Sequence, residues 1–205
     1  YLTDTAENVG IQALNVYFVN SSIGYASYED GRLVKSVNGG ESWFELGNPG
    51  DQIYSYHFFN ENVGYIGGNN ESIYKTTDGG LSWSENMYNG GYGIFKSIVF
   101  IDDNIGYSVG SKGLIINTQN GGEDWTSNTG PSLDIQDIVF ASESVGYLFG
   151  DDFYKSTDGG FTWDTVSVVV SGTNYEHYKY ISGYFFSDNE FFIIAEDNAT
   201  EILYS

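Results

Sequence analysis

The chain has 205 residues and contains no cysteine, which excludes disulfides and thiol chemistry. Seven basic residues face 28 acidic ones, so the formal net charge is −21. Nucleic acid and anionic membrane surfaces are therefore poor partners, because both are bound by clustered lysine and arginine. No apolar run approaches the roughly 20 residues that span a bilayer, and we expect no membrane insertion.

The predicted elements repeat along the chain. Each unit opens with a short strand that ends at a phenylalanine, continues through a polar turn, and reaches an aliphatic-Gly-Tyr triplet. These landmarks are Phe18 with Gly24-Tyr25, Phe58 with Gly64-Tyr65, Phe100 with Gly106-Tyr107 and Phe140 with Gly146-Tyr147. Short runs of Ile, Val, Phe and Tyr between turn residues are typical of strands. We predict four per unit: A ending near the phenylalanine, B at Gly-Tyr, C before a Gly-Gly turn, and D starting at a tryptophan.

A Gly-Gly-x-x-Trp segment recurs four times. The copies are Ser36–Trp43, Thr76–Trp83, Thr118–Trp125 and Ser156–Trp163, and their tryptophans are 40, 42 and 38 residues apart. In each turn an Asp or Asn side chain can accept backbone N–H groups, while the glycines supply positive φ. Ser42, Ser82 and Thr162 are expected to satisfy a further backbone group. Four short antiparallel strands per roughly 40 residues predict the blades of a β-propeller.

These segments resemble the Asp-box, or BNR repeat, of bacterial sialidases, sortilin-type receptors and photosystem II assembly-factor-like propellers. The accompanying Gly-Tyr pair favours the last group. In that family the Asp-box is a structural turn at the propeller periphery. The resemblance therefore implies structural roles for Asn38, Trp43, Asp78, Trp83, Asn120, Trp125, Asp158 and Trp163. A turn tolerates Asn for Asp, as in two of the copies, and Asp124 in place of the usual hydroxyl residue.

The sequence predicts a single all-β propeller domain of four-stranded antiparallel blades. The blade units are roughly 13–47, 53–88, 95–129, 135–170, and 178–205 together with 1–5. In the first interpretation the propeller has five blades, and Tyr1–Thr5 closes the ring by pairing with the C-terminal strands, which removes exposed sheet edges. The alternative is a fragment of a longer propeller.

Enzymatic function is not expected. The sialidase resemblance implies three substrate-binding arginines, whereas this chain has one arginine, Arg32. Neither His57 nor His177 stands in a catalytic motif, and His57 is expected to be a packed side chain. No acid pair is singled out as the two carboxyls of a glycosidase. The basic patch that assembly-factor-like propellers use for their partner is not evident either.

Binding is expected on the variable loops. Strand order places the D–A and B–C loops on one face and the A–B turns and Asp-boxes on the other, and binding usually lies on loops held by a rigid scaffold. The candidate residues are Tyr28, Arg32, Asn70, Tyr88, Tyr92, Asp152, Tyr175 and His177. We predict a non-catalytic interaction or scaffold module with a protein partner. The alternative is a lectin-like carbohydrate binder, and a glycoside hydrolase ranks third.

Two further expectations come from composition. Richness in Tyr, Asn, Gly and acids without cysteine is typical of a bacterial exported or cell-surface protein. The acid pairs Glu29-Asp30, Asp102-Asp103 and Asp151-Asp152 suit calcium, although EF-hand spacing is absent. Calcium is the only cofactor that we retain as a candidate.

Overall fold

The computed structural model describes residues 11–47, 49, 52–87, 93–128, 130–131, 134–166, 179–187, 190–197 and 199–204. The expected closing strand Tyr1–Thr5 lies outside these residues. The chain divides into two compact units, residues 1–98 and 99–205, and each is described by itself.

The first unit contains two four-stranded antiparallel sheets whose strands pair in chain order. The first sheet consists of β1 (Ala13–Phe18), β2 (Gly24–Tyr28), β3 (Leu33–Ser36) and β4 (Phe44–Leu46). The second consists of β5 (Ile53–Phe58), β6 (Gly64–Gly68), β7 (Ser72–Thr76) and β8 (Ser84–Met87).

The third sheet begins at the end of the first unit, and two more sheets follow in the second unit. The third consists of β9 (Phe95–Phe100), β10 (Gly106–Gly110), β11 (Ile115–Thr118) and β12 (Thr126–Ser127), with a 3-10 turn at Ser111–Gly113. The fourth consists of β13 (Ile135–Phe140), β14 (Gly146–Gly150), β15 (Phe153–Ser156) and β16 (Asp164–Thr165). The fifth has three strands, β17 (Lys179–Ser187), β18 (Glu190–Asp197) and β19 (Ala199–Tyr204).

Strand D begins one residue later than the sequence predicts, directly after each tryptophan. The indole explains the difference, because it turns onto the phenylalanine of strand A and keeps its backbone in the turn. Phe18 and Trp43 meet edge to face at 5.9 Å, and Phe100 and Trp125 do so at 5.8 Å. Edge-to-face contact is a preferred arrangement of aromatic rings.

The glycine of each Gly-Tyr pair lies opposite the phenylalanine of strand A, as at Phe58 and Gly64. A Cβ on Gly64 would lie 2.3 Å from Cδ1 of Phe58. Only glycine leaves room for this ring, which explains why the two residues recur together.

The apolar core lies between neighbouring sheets. In the first unit the ring of Tyr25 stacks on Phe58 of the next sheet at 4.3 Å, and Leu33, Ile53 and Ile66 are fully buried in the same cluster. In the second unit one cluster joins the third and fourth sheets around Tyr107 and Ile138. Another joins the fourth and fifth around Phe149 and Ile193. Each sheet is therefore stabilised chiefly by packing on its neighbour.

Candidate functional site

The Asp-box aspartates are anchored inside their own turns. Ser82 donates its backbone N–H to Oδ1 of Asp78 at 2.9 Å and its hydroxyl to Oδ2 at 2.6 Å. Thr162 makes the same two bonds to Asp158, at 2.9 and 2.6 Å. The side-chain hydroxyl bond, followed by the backbone bond, lowers the pKa of each carboxyl to about 2. Both carboxylates therefore act as turn acceptors.

A side-chain hydroxyl satisfies a backbone group in each Asp-box, but it belongs to the first residue of the box and not to Ser42, Ser82 or Thr162. In all four copies its hydroxyl accepts the N–H of the second glycine at 2.8 Å. These residues are Ser36, Thr76, Thr118 and Ser156. The prediction for Ser82 and Thr162 is wrong because their hydroxyls donate to the aspartates. The invariant hydroxyl residue at the first position was the sequence signal.

In the two boxes with asparagine the same two side chains are hydrogen-bonded, but the asparagine is the donor where the aspartate is the acceptor. Asn38 Nδ2 donates to Ser42 Oγ at 2.9 Å. Asn120 Nδ2 donates to Asp124 Oδ2 at 3.0 Å. In the third sheet the carboxylate thus lies four residues later than it does in the boxes of Asp78 and Asp158. The turn retains one charge-assisted bond.

Each of two Asp-boxes also receives a tyrosine from the preceding sheet. The hydroxyl of Tyr25 donates to Gly79 O at 2.9 Å, and Tyr107 donates to Gly159 O at 2.5 Å. Burial raises the pKa of both tyrosines, that of Tyr107 to about 12. Lys35 Nζ joins Tyr25 on Gly79 O at 2.7 Å. Burial also lowers the pKa of Lys35.

The A–B turn and the Asp-box lie side by side in each four-stranded sheet, and we call this the Asp-box end. The N–H of the first box glycine donates to a carbonyl of the A–B turn, as from Gly79 to Asn62 at 2.9 Å and from Gly159 to Ser144 at 2.9 Å. The B–C and D–A connections form the opposite end, which we call the loop end.

At the loop end of the first unit the structure brings Tyr28 and Arg32 together. The guanidinium carbon of Arg32 lies 4.9 Å from the Tyr28 ring centroid, and its Nε is 2.7 Å from Asp30 Oδ2. Asn70 lies on the corresponding loop of the second sheet, where it is exposed and has a φ of 56°. The pairing of Asp30 with Arg32 was not predicted from the sequence, although the spacing of two residues was a usable signal.

The loop of Tyr28 is fixed to the segment before β5, a contact that the sequence did not reveal. Gln52 Nε2 donates to the carbonyl of Glu29, and Tyr54 donates its hydroxyl to Gln52 Oε1 at 2.9 Å. The N–H of Gln52 donates to Asn69 Oδ1 at 3.2 Å. Side-chain amides therefore connect the loop ends of the two sheets in this unit.

In the second unit Asp152 is exposed and accepts the Tyr154 hydroxyl at 3.3 Å. Lys112 N donates to Asp134 Oδ1 at 2.7 Å, close to the same loops. The other four candidate residues, Tyr88, Tyr92, Tyr175 and His177, lie outside the described residues.

The described part of the chain holds no group of three or more His, Asp or Glu side chains placed to bind a metal ion. None of its helices could cross a membrane. Burial lowers the pKa of His57 to about 4, and its ring contacts Phe59 edge to face at 5.1 Å. A neutral, packed imidazole at this position agrees with the structural role expected for it.

Comparison with known proteins identifies the architecture. Residues 45–132, less than half of the chain, match the family model described as photosynthesis system II assembly factor YCF48. The WD40 β-propeller domain of Doa1 is similar in structure, with a TM-score of 0.70 at 13% identity over 97% of this chain and 67% of that one. The chain is a BNR-type β-propeller. The predicted fold class and the BNR resemblance are confirmed.

Other solved structures resemble this BNR-type propeller. An ancestral GH74 enzyme gives a TM-score of 0.68 at 18% identity over 95% of this chain, which spans 31% of the enzyme's chain. YCF48 from Cyanidioschyzon merolae gives 0.55 at 15% identity over 91% of this chain and 80% of that one. No curated protein matches the sequence. At these identities the likeness shows the fold alone.

Proposed function

We propose that this propeller is a non-catalytic module that binds a protein partner through its loop end, in an exported or cell-surface protein. The observation that carries the proposal is the fixed pair of Tyr28 and Arg32. Aromatic and arginine side chains supply much of the binding energy at protein interfaces. The composition of the chain supports the location.

The Arg32 side chain is held ready for an anionic or carbonyl group. Its Nε is paired with Asp30, its guanidinium carbon lies over the Tyr28 ring, and the side chain is 32% exposed. The guanidinium has five N–H donors in a rigid fork, so the terminal nitrogens retain donors for a ligand. Because the loop is already fixed through Gln52, little conformational entropy would be lost on binding.

Several observations favour binding over catalysis. The described loop-end acids are engaged or solvated: Asp30 pairs with Arg32, and Asp152 is exposed beside Tyr154. A glycosidase needs two carboxyls about 5–9.5 Å apart across the scissile bond, one with a raised pKa. The family whose model matches residues 45–132 is described as photosynthesis system II assembly factor YCF48, a description that names no reaction. The GH74 likeness is one of fold, and the chain spans about a third of that enzyme.

The carbohydrate alternative uses the same loops. Sugars stack on exposed aromatic faces, but one face of the Tyr28 ring is covered by the guanidinium of Arg32. This contact favours a polypeptide ligand over a stacked sugar.

A display experiment tests the proposal. Random peptides displayed on phage are selected on the immobilised chain and then measured against Arg32→Ala. The matched control is Lys179→Ala, which removes one exposed positive charge elsewhere. We expect selected peptides to bind Arg32→Ala at least about tenfold more weakly, as for an interface anchor, and to bind Lys179→Ala unchanged.

Equal binding to wild type and Arg32→Ala would overturn the proposed surface. A glycan array run with calcium and with EDTA gives the competing outcome. Specific glycan binding lost in Arg32→Ala, with no selected peptide, would make this module a lectin. Dependence of that binding on calcium would assign a metal to the loops.

A further inference from the structure

The third sheet differs from the other four-stranded sheets at one position of strand C. Elsewhere this position is a lysine opposite the tyrosine of the Gly-Tyr pair. The lysine nitrogens lie 5.2 to 5.5 Å from the ring centroids in the pairs Lys35–Tyr25, Lys75–Tyr65 and Lys155–Tyr147. In β11 the position is Asn117, which lies opposite Tyr107. Within the described chain, no cation lies over the Tyr107 ring.

An open cavity lies beside this shorter side chain. Its volume is about 300 Å³, and its lining residues are Asn117, Gln119, Asn120, Asp124 and Thr126. Asn117 and Thr126 are opposite each other in β11 and β12. A lysine side chain extends three heavy atoms beyond Cγ, which in asparagine is the amide carbon. Asparagine in place of lysine therefore leaves space on this face of the sheet.

The charge beside the cavity also differs from that of the other repeats. Asp124 stands where the other boxes have a hydroxyl residue, and its Oδ2 accepts Asn120 Nδ2 at 3.0 Å. Oδ1 makes no hydrogen bond to the described residues. We compare the summed charge of three side chains in each sheet: the strand-C residue and the two Asp-box residues that contact each other. This sum is one positive charge in the first sheet and zero in the second and fourth. The third carries one negative charge.

Asn117 supplies a buried polar group at the cavity wall. Its side chain is 3% exposed, and its Oδ1 accepts the Thr126 hydroxyl at 3.1 Å. A half turn of the amide would let Nδ2 donate to the same hydroxyl, which can in turn donate to the Asn117 carbonyl at 3.4 Å. The amide oxygen would then be directed to a donor in the cavity.

The first unit shows how such a site holds an ammonium group. There Lys35 Nζ lies against the Tyr25 ring and donates to Gly79 O, which also accepts the Tyr25 hydroxyl. The corresponding carbonyl in the second unit, Gly159 O, accepts Tyr107 and no second donor among the described residues. One of its two lone pairs is therefore available.

We propose that the cavity beside Asn117 binds a primary alkylammonium group, the chemistry of a partner's lysine side chain or of a free polyamine. Asp124 supplies the counter-charge, and the amide oxygen of Asn117 accepts an N–H. Gly159 O and the Tyr107 ring are the counterparts of Gly79 O and the Tyr25 ring, which hold Lys35 in the first unit. The site lies at the Asp-box end and does not depend on the loop-end proposal.

The test is a titration of the full chain with n-butylammonium chloride, with sodium chloride at equal ionic strength as the blank, followed by NMR. We expect saturable shifts of the Asn117, Asp124 and Thr126 amides. Asn117→Lys places a tethered ammonium in the cavity and should weaken binding about tenfold, the scale of a partly desolvated cation–π contact. Thr77→Lys adds the same charge at an exposed position of the second Asp-box and should leave binding unchanged.

A second pair of variants keeps the proposal testable if Asn117→Lys does not fold. Asp124→Ser restores the residue of other boxes and should also weaken binding about tenfold through loss of the ion pair. The triple variant Lys35→Asn/Ser42→Asp/Phe44→Thr copies the third-sheet residues Asn117, Asp124 and Thr126 into the first sheet and should create a new butylammonium site there. Unsaturable shifts, equal binding by wild type and Asp124→Ser, or displacement of butylammonium by calcium would each overturn the proposal.

Two further ligands distinguish a protein lysine from a free polyamine as the source of the ammonium group. Nα-acetyl-lysine amide represents a lysine in a polypeptide, and putrescine represents a free polyamine. Tighter binding of the first points to a protein lysine, whereas tighter binding of the second points to a polyamine.

Discussion

The hydroxyl of Tyr25 in the first sheet donates a 2.9 Å hydrogen bond to the carbonyl of Gly79, which lies 54 residues later in the Asp-box of the second sheet. The Tyr25 ring also stacks on Phe58 of that sheet at 4.3 Å. One side chain therefore fixes both a strand and a turn of its neighbour, and Gly79 is buried as a result.

Tyr25→Phe removes this hydrogen bond and keeps the ring. We expect a loss of about 1–2 kcal/mol in the free energy of unfolding, because the buried carbonyl loses one donor while Lys35 remains. Urea unfolding followed by tryptophan fluorescence measures the change. The control is Tyr28→Phe, whose ring still supports Arg32, and it should change stability by less than about 0.5 kcal/mol. Equal effects of the two variants would contradict the structural role of the Tyr25 hydroxyl.

Gly64→Ala should destabilise the first unit by about 2–3 kcal/mol, since the new methyl would overlap Phe58. Gly47→Ala is the matched control, because a Cβ there meets nothing within 4 Å. Thermal unfolding compares the two variants directly. A midpoint for Gly64→Ala equal to that of Gly47→Ala would show that the ring of Phe58 can move aside without cost.

Asn120→Asp should destabilise the protein by about 1 kcal/mol at pH 7, because it places a second carboxylate against Asp124 at hydrogen-bond distance. Adding Asp124→Ser should restore stability by recreating the aspartate–hydroxyl pair seen at Asp78 and Ser82. A double-mutant cycle measured by urea unfolding gives the coupling between the two positions.

The first Asp-box supplies the control for that cycle. Asn38→Asp faces the hydroxyl of Ser42, so it should be neutral or slightly stabilising. Additive effects of Asn120→Asp and Asp124→Ser, or a similar loss in Asn38→Asp, would rule out repulsion within the third box.

Acid should weaken the fold through Asp78 and Asp158. Their pKa values in the folded protein are about 2, below the value of about 3.9 for an unfolded aspartate. The stabilisation from these carboxylates is therefore complete above pH 4 and is lost as the pH falls towards 2. The variant Asp78→Asn/Asp158→Asn should lose less of its melting temperature between pH 4.5 and 2 than the wild type does. Asp103→Asn, at an exposed turn position, should follow the wild type.

Local features were predictable because they depend on residues close together in sequence. Phe58 and Gly64 are six residues apart and mark two strands and the turn between them, and the Asp78 box is closed by Ser82 four residues later. The start of strand D was displaced by one residue because the packing of the tryptophan ring on strand A determines it, and periodicity does not report that contact.

Features that join neighbouring sheets were not predictable from the pattern. Tyr25 and Gly79 were recognised as separate motif residues, but their contact depends on how two sheets pack. The same holds for Gln52, an ordinary loop residue in sequence that connects to Glu29 in the structure. The replacement of lysine by Asn117 is recognised only when the strand register aligns it with the lysines of the other sheets.

The two hydrogen bonds from a Gly-Tyr tyrosine to an Asp-box run in the same direction along the chain. Tyr25 reaches forward to the second sheet and Tyr107 reaches forward to the fourth. A lesion in one Gly-Tyr strand thus loosens the turn of the repeat that follows it and leaves its own turn closed. Damage within each unit is transmitted towards the C-terminus, so neighbouring repeats that share the same motif stabilise one another unequally.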